Sequence, residues 1–218
     1  MIFGNGQVAV VTGASSGVGR AIAFALASEG ASLALVGRDL GALENAAPAG
    51  SGTIRCYEAD LTDDASLARF VAGVLADFGR VDVLVHSAGM FSMAPLETAS
   101  LESFDLQYRC NVRAPFALTQ ALLSSLVGHQ GQVVFINSTA GLSAGAGVSQ
   151  YAATKHALKA VADSFRQEVN PQGVRVLSVF LGRTATPMQE SICKQEGKTY
   201  DQAYFIQPAD VAATLLHT

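Results

Sequence analysis

Thr12-Gly13-Ala14-Ser15-Ser16-Gly17-Val18-Gly19 is the stretch on which the reading of this chain turns. It closes a short apolar run, Val8–Thr12, and leads straight into residues of helical spacing: Val18, Ile22, Ala25 and Leu26, with Gly30 as a stop. Glycines at such a strand-to-helix turn let the backbone bend tightly and approach a pyrophosphate. The free N–H groups of the helix N-terminus attract that group. The plainer alternative is a glycine-rich turn that holds no ligand. Folding alone rarely needs such a turn between a first strand and a first helix.

Outward from this turn the same alternation continues. Strands are expected at Ser32–Val36, Thr53–Ala59, Val81–His86, Gln132–Asn137 and Val174–Phe180. Leu67, Phe70, Val71, Val74, Leu75 and Phe78 repeat at helical spacing before Gly79. A third helix is expected from about Leu101 to Val127, and a fourth from Gln150 to Val169, ended by Pro171 and Gly173. Strand–helix alternation of this kind predicts an α/β fold, a doubly wound parallel sheet of Rossmann type with helices on both faces. Repeats and low-complexity linkers are absent, so residues 1–218 read as one domain.

Composition narrows the function. Half of the 218 residues are hydrophobic and only 15% are charged, which suits buried parallel strands. A net charge of −4, with basic residues scattered, argues against nucleic-acid and anionic-membrane partners. Cys56, Cys110 and Cys193 are too few and too far apart for a disulfide framework, and no Cys/His cluster suggests a metal site. Met1 to Gln7 lacks the pattern of a signal peptide, and no apolar stretch approaches the roughly 20 residues that span a bilayer. A cytoplasmic protein is expected.

In a doubly wound sheet the ligand lies beyond the carboxyl ends of the strands. The second strand ends in Val36-Gly37-Arg38-Asp39, where an adenosine ribose would sit. An acidic residue there would accept from a free 2′-hydroxyl, whereas Gly37 followed by Arg38 suits a 2′-phosphate. Ser15 can add a hydroxyl. Asp39 opposes this electrostatically but also fits the N-cap of the next helix. NADP(H) is therefore the expected cofactor. In the fourth helix, Tyr151 and Lys155 are four residues apart and share a face. An ammonium about 4 Å from a phenol would lower its pKa by about three units at an effective dielectric near 20. That would bring the tyrosine into the range of a general acid. Ser138, at the end of the fifth strand, can hold a substrate oxygen.

With these residues assembled, the chain resembles the short-chain dehydrogenase/reductase family over nearly its whole length. The resemblance is carried by TGASSGVG at 12–19, Asp60-Leu61 after strand three, Ala88-Gly89 after strand four, Asn111, Ser138, Tyr151, Lys155, Gly182 and Thr186. It implies an oxidoreductase acting on a carbonyl or secondary alcohol. Tyr151 would be the general acid or base, and Lys155 would bind the nicotinamide ribose and tune the phenol. Ser138 would position the carbonyl, and Asn111 would hold a water through its backbone carbonyl. It further implies that Gly13, Ser15, Ser16, Gly17, Val18 and Gly19 hold the phosphates and that Asp60 and Leu61 flank the adenine. Ser87, Ala88, Gly89, Gly182, Thr184 and Thr186 would complete the cofactor site. A homodimer or homotetramer is implied, commonly through the third and fourth helices.

Pro115 adds a reading of its own. It lies four residues after Asn111 and has no N–H, so the Asn111 carbonyl loses its usual helical partner. A simple kink is the alternative. The chain departs from the family at His86-Ser87, where Asn-Asn is usual, and at Leu181, where proline is usual. His86 reads as a structural hydrogen-bonding residue rather than a catalytic acid. The family's seventh strand is missing before Thr218, which would leave Val174–Phe180 as a bare sheet edge. Cys110 reads as a buried, inert thiol. Met90, Phe91, Met93, Leu142, Ala144, Ala146 and Met188 predict an apolar substrate pocket, and Met188–Gln207 a mobile lid. Two other classes stay open: a lyase or epimerase on the same scaffold, and a non-catalytic NADP(H)-binding regulator.

Overall fold

The computed structural model describes residues 6–217. Met1–Asn5 and Thr218, on which the readings of the leader and of the chain's end bear, lie outside them. Six parallel strands form one sheet in the order β3-β2-β1-β4-β5-β6. They are β1 (Val8–Thr12), β2 (Ser32–Gly37), β3 (Ile54–Glu58), β4 (Val83–His86), β5 (Gln132–Ser138) and β6 (Arg175–Leu181). The helices are α1 (Gly17–Ser28), α2 (Leu40–Ala46), α3 (Asp64–Phe78), α4 (Leu101–Tyr108), α5 (Ala114–Gly128), α6 (Ser149–Val169), α7 (Pro187–Gln195) and α8 (Pro208–Leu216). The expected strands fall within two residues of these bounds.

Why the sheet is covered on both sides follows from its period of two. Val10, Ala34 and Val36 face one way, onto Phe70 and Val74 of α3, Leu118 and Leu122 of α5 and Leu158 of α6. Their neighbours Ala9, Val11, Leu33 and Leu35 face the other way, onto Ile22 and Leu26 of α1 and Val211 and Leu215 of α8. All five residues of β1 are buried, as a central strand covered on both faces requires. The chain leaves β1 towards β2 and β3, then returns to place β4 on the other side of β1. This reversal opens a crevice at the carboxyl ends of β1 and β4.

The third expected helix differs in detail. Between α4 and α5, Arg109–Arg113 forms a π-helical turn in which the Ala114 N–H donates to the Arg109 carbonyl, five residues back. Pro115 cannot supply an N–H at the usual spacing, and a widened turn accommodates that loss. Pro115 directly follows this turn, inside a helical run that continues without a break from α4 through the π turn into α5. The widened turn is what lets a residue without an N–H stand within that run.

At the far side, β6 is the outer strand of the described sheet. Arg166 of α6 lies along it, its Nε donating to the Val176 carbonyl at 3.0 Å and its Nη2 to Ser178 Oγ at 3.3 Å. A charged side chain on an outer strand is one way in which edges are blunted. Among the described residues no helix is long and apolar enough to cross a membrane.

Candidate active site

The crevice is a cavity of about 560 Å³ that runs from the glycine-rich turn to α7. Its cofactor end is built largely from backbone. Thr12 Oγ1 accepts from the N–H groups of Ser87 and Ala88, both at 3.0 Å, and so ties the end of β1 to the end of β4. Gly13 has φ +65°, and a Cβ there would stand 2.8 Å from Ala88 Cα. Gly19, one turn into α1, packs on Gly13, where a Cβ would meet the Gly13 carbonyl oxygen at 2.4 Å. Only glycine fits either place. Ser16 precedes α1 without capping it through its side chain, which leaves the helix's first N–H groups facing the cavity.

The other residues expected to hold a cofactor line the same cavity. Ser15, Ser16, Gly17 and Val18 line the turn; Ser87, Ala88 and Gly89 line the opposite wall. Arg38, Asp60 and Leu61 line the far side, and Gly182, Thr184 and Thr186 the near one. Asp39 takes the role of helix cap: its carboxylate accepts from the Ala42 N–H at 2.9 Å. Asp60 is engaged by Thr62 through N–H and hydroxyl, at 2.9 and 2.7 Å. Those bonds, with the charge of Arg38 as a smaller cause, hold its carboxyl below the usual range. Gly19 and Asn111 are not in the cavity wall. Each lies directly behind it.

At the substrate end, Ser138, Tyr151 and Lys155 meet in the same cavity. Asn137 sets their spacing. Its Nδ2 donates to the Lys155 carbonyl at 3.1 Å and its Oδ1 accepts from the Ser138 N–H at 2.8 Å, so one buried amide joins β5 to α6. Asn111 is consumed behind the wall. It accepts from the Met90 N–H at 2.7 Å and donates to the Met90 carbonyl at 2.8 Å and to Thr154 Oγ1 at 3.0 Å.

The electrostatics differ from the sequence expectation. Burial raises the Tyr151 phenol above its ordinary value, while a hydrogen bond from Ser138 pulls it back. The Lys155 ammonium stands 5.7 Å from the Tyr151 ring centre and donates to the Ile136 carbonyl at 3.2 Å. Burial brings Lys155 itself down to about 8. Desolvation is the largest influence on both groups.

Other residues separate cleanly. His86 stacks on Phe135 at 4.9 Å between ring centres, and its Nε2 pairs with Thr119 Oγ1 at 2.8 Å. Burial lowers its pKa to about 3, so the ring, which also lines the cavity, is neutral at pH 7. Burial pushes the Cys110 thiol up, in keeping with an inert residue. Met90, Phe91, Met93, Ala146 and Met188 line the cavity, but Leu142 and Ala144 do not; both are exposed on the turn beyond β5. A four-residue sequence offset cannot tell which side of a turn faces inward.

The segment after β6 is a closed excursion. Ala185 N–H donates to the Ile206 carbonyl at 2.8 Å and Ile206 N–H to the Arg183 carbonyl at 3.0 Å. Between these stems lies α7, capped by Thr186 Oγ1 on the Gln189 N–H. Arg183 grips Glu196 with both terminal nitrogens, and Lys198 adds a contact at 2.9 Å. Those bonds hold the Glu196 carboxyl down at about 2. The tie from Thr12 to the end of β4, the role of Asn137 and this ion pair were not read from the sequence, because each depends on a partner further along the chain.

Residues 7–197 match the family model described as short chain dehydrogenase. An uncharacterised oxidoreductase of Staphylococcus epidermidis is 34% identical over 185 residues, covering 84% of this chain and 80% of that protein. An uncharacterised NAD-dependent oxidoreductase of Mycobacterium tuberculosis is 32% identical over 204 residues, covering 85% and 74%. Among solved structures, an alcohol dehydrogenase from the archaeon Thermococcus sibiricus, complexed with 5-hydroxy-NADP, superposes with a TM-score of 0.88. It is 30% identical and the match covers 97% of this chain and 89% of that one.

Proposed function

The chain belongs to the short chain dehydrogenase family of nicotinamide-dependent oxidoreductases, and on that premise we propose that it interconverts a small apolar ketone or aldehyde and its alcohol using NADP(H). One observation carries the reading: Ser138 of β5 and Tyr151 and Lys155 of α6 share a single cavity with the glycine turn after β1. The cofactor fits the residues present, since Gly13, Ser15, Ser16, Gly17 and Val18 line the cavity and no side chain caps the start of α1. Ser15, Ser16, Gly17 and Val18 would hold the phosphates, Arg38 a 2′-phosphate, Asp60 and Leu61 the adenine, and Gly182, Thr184 and Thr186 the nicotinamide end. When bound, the nicotinamide gives or takes the hydride.

The chain's own residues handle the proton. Tyr151 donates it to the substrate oxygen in reduction and takes it back in oxidation. Ser138 orients that oxygen, and Lys155 would hold the ribose of the bound cofactor and favour the phenolate. Asn111 anchors the loop after β4 to the tyrosine helix, and its carbonyl lies where Pro115 offers no N–H, a place for a relay water. Arg38 with Asp39 diverted to a helix cap supports NADP(H) over NAD(H). The same reading takes residues 1–218 as one catalytic unit with a lid at 188–207, cytoplasmic and homo-oligomeric through α4–α6. No part is assigned to nucleic acid, membrane or metal.

The test uses purified protein, NADPH and a panel of small apolar ketones that includes acetophenone, followed at the nicotinamide absorbance. Turnover is expected with the unmutated protein. It should fall by at least about 10²-fold in Tyr151→Phe. NADPH affinity should stay within about twofold, because only the proton donor is lost. Retained turnover in that variant would assign the proton to another group.

A further inference from the structure

Two amides behind the substrate wall take no part in the chemistry above. Gln107 of α4 has no exposed surface, and Gln150 is buried in α6 one residue before Tyr151. Three hydrogen bonds pass through them. The Ser92 N–H donates to Gln107 Oε1 at 3.1 Å, Gln107 Nε2 to Gln150 Oε1 at 3.1 Å, and Gln150 Nε2 to the Ser100 carbonyl at 2.7 Å. Each amide thus uses one acceptor and one donor in a fixed sense.

One turn further along, Asn111 makes a similar connection from Met90 to Thr154. Gln107 and Asn111 are four residues apart, and so are Gln150 and Thr154, so the pairs stack as two rungs between the helices. The rungs hold Met90 and Ser92. Between those two residues stands Phe91, whose ring meets the Tyr151 ring edge-on, 4.9 Å between centres and 70° between planes.

We infer that Gln107 and Gln150 are positioning residues that hold Phe91 against the Tyr151 ring, and so aim the phenol and shape the apolar wall of the substrate site. An aliphatic side chain at 107 would strand the Ser92 N–H and the Gln150 oxygen away from water. Stranded groups of this kind drive local rearrangement. If the amides only stabilised the core, their loss would lower the melting temperature and leave the surroundings of Tyr151 unchanged.

The kinetic part rests on Tyr151 as proton donor; the spectroscopic part does not. Protein labelled with ¹³C-tyrosine gives a Tyr151 ring signal, assigned by its loss in Tyr151→Phe. Phe91→Leu calibrates the shift caused by the phenylalanine ring. Gln107→Leu should move the Tyr151 signal in the same direction as Phe91→Leu, and an unmoved signal overturns the inference. In Gln107→Glu, a protonated carboxyl reproduces the amide's one acceptor and one donor. Its Tyr151 signal should match the unmutated protein while the carboxyl is protonated, the form that burial favours; a signal displaced at low pH as in Gln107→Leu overturns the inference. With NADPH and acetophenone, Gln107→Leu should lower kcat about tenfold and leave the KM for NADPH within about twofold. An unchanged kcat in a variant that only melts earlier would overturn it too. Absence of turnover in the unmutated protein counts against the reductase reading alone, since the ring signal still decides the inference.

Discussion

The two ends of the cavity are made by different means. At the cofactor end the walls are backbone: Gly13 against Ala88, Gly19 against the Gly13 carbonyl, and Thr12 gathering two N–H groups from the next strand. At the substrate end they are set by buried side-chain amides, Gln107, Asn111, Asn137 and Gln150, each reaching a partner at least one residue and up to 50 residues away in sequence. Backbone walls tolerate no added atom, whereas amide walls tolerate an isostere but not a change of hydrogen-bonding sense. The first kind of site should break sharply on substitution, and the second should shift by degrees.

The largest expected effect breaks the backbone end. Gly13→Val combines a positive φ with a Cβ that would stand inside contact distance of Ala88. Strain of this kind is worth several kcal/mol. NADPH binding should be lost and the urea midpoint lowered, whereas an unchanged midpoint would show that the two strand ends are not locked together.

His86 tests the side-chain end. Its folded pKa of about 3 lies below the ordinary 6.5, so the unfolded chain takes up a proton that the folded one refuses. Its contribution is complete above pH 6.5 and is lost as pH falls towards 3, by about 1.4 kcal/mol per unit. Between pH 6.5 and 5 the unmutated protein should lose about 2 kcal/mol more than His86→Asn, measured by urea unfolding. Parallel pH curves for the two would mean that His86 is not held neutral.

Cofactor choice sharpens the comparison with a smaller effect. NADPH should bind at least about tenfold more tightly than NADH, about 1.4 kcal/mol, and Arg38→Asp should reverse the order. Equal affinities in the unmutated protein would remove Arg38 from phosphate recognition. The smallest stability change is expected for Pro115→Ala. With the proline's missing N–H already accommodated by the π turn, stability should move by no more than about 1 kcal/mol. Turnover should fall nonetheless, because a restored N–H permits an ordinary α-helical turn that rotates Asn111 away from Met90 and Thr154. Unchanged turnover would leave the π turn without a role in catalysis.

What the sequence determined by itself was whatever depends on near neighbours. Alternating apolar runs specified six strands, the glycine spacing marked the turn that closes on β4, and Asp39 was legible as a helix cap because caps act within four residues. Tyr151 and Lys155 were legible as a pair for the same reason, one helical turn apart. The tertiary structure alone decided how those two are charged. Sequence spacing gave a proximity, but burial raised the phenol, lowered the ammonium and drew it to the Ile136 carbonyl. It alone showed Gln107 meeting Gln150, and Thr12 meeting Ser87, since those pairs are 43 and 75 residues apart. No local pattern records such a meeting: desolvation and long-range hydrogen bonding exist only once the sheet has brought the strand ends and helices together.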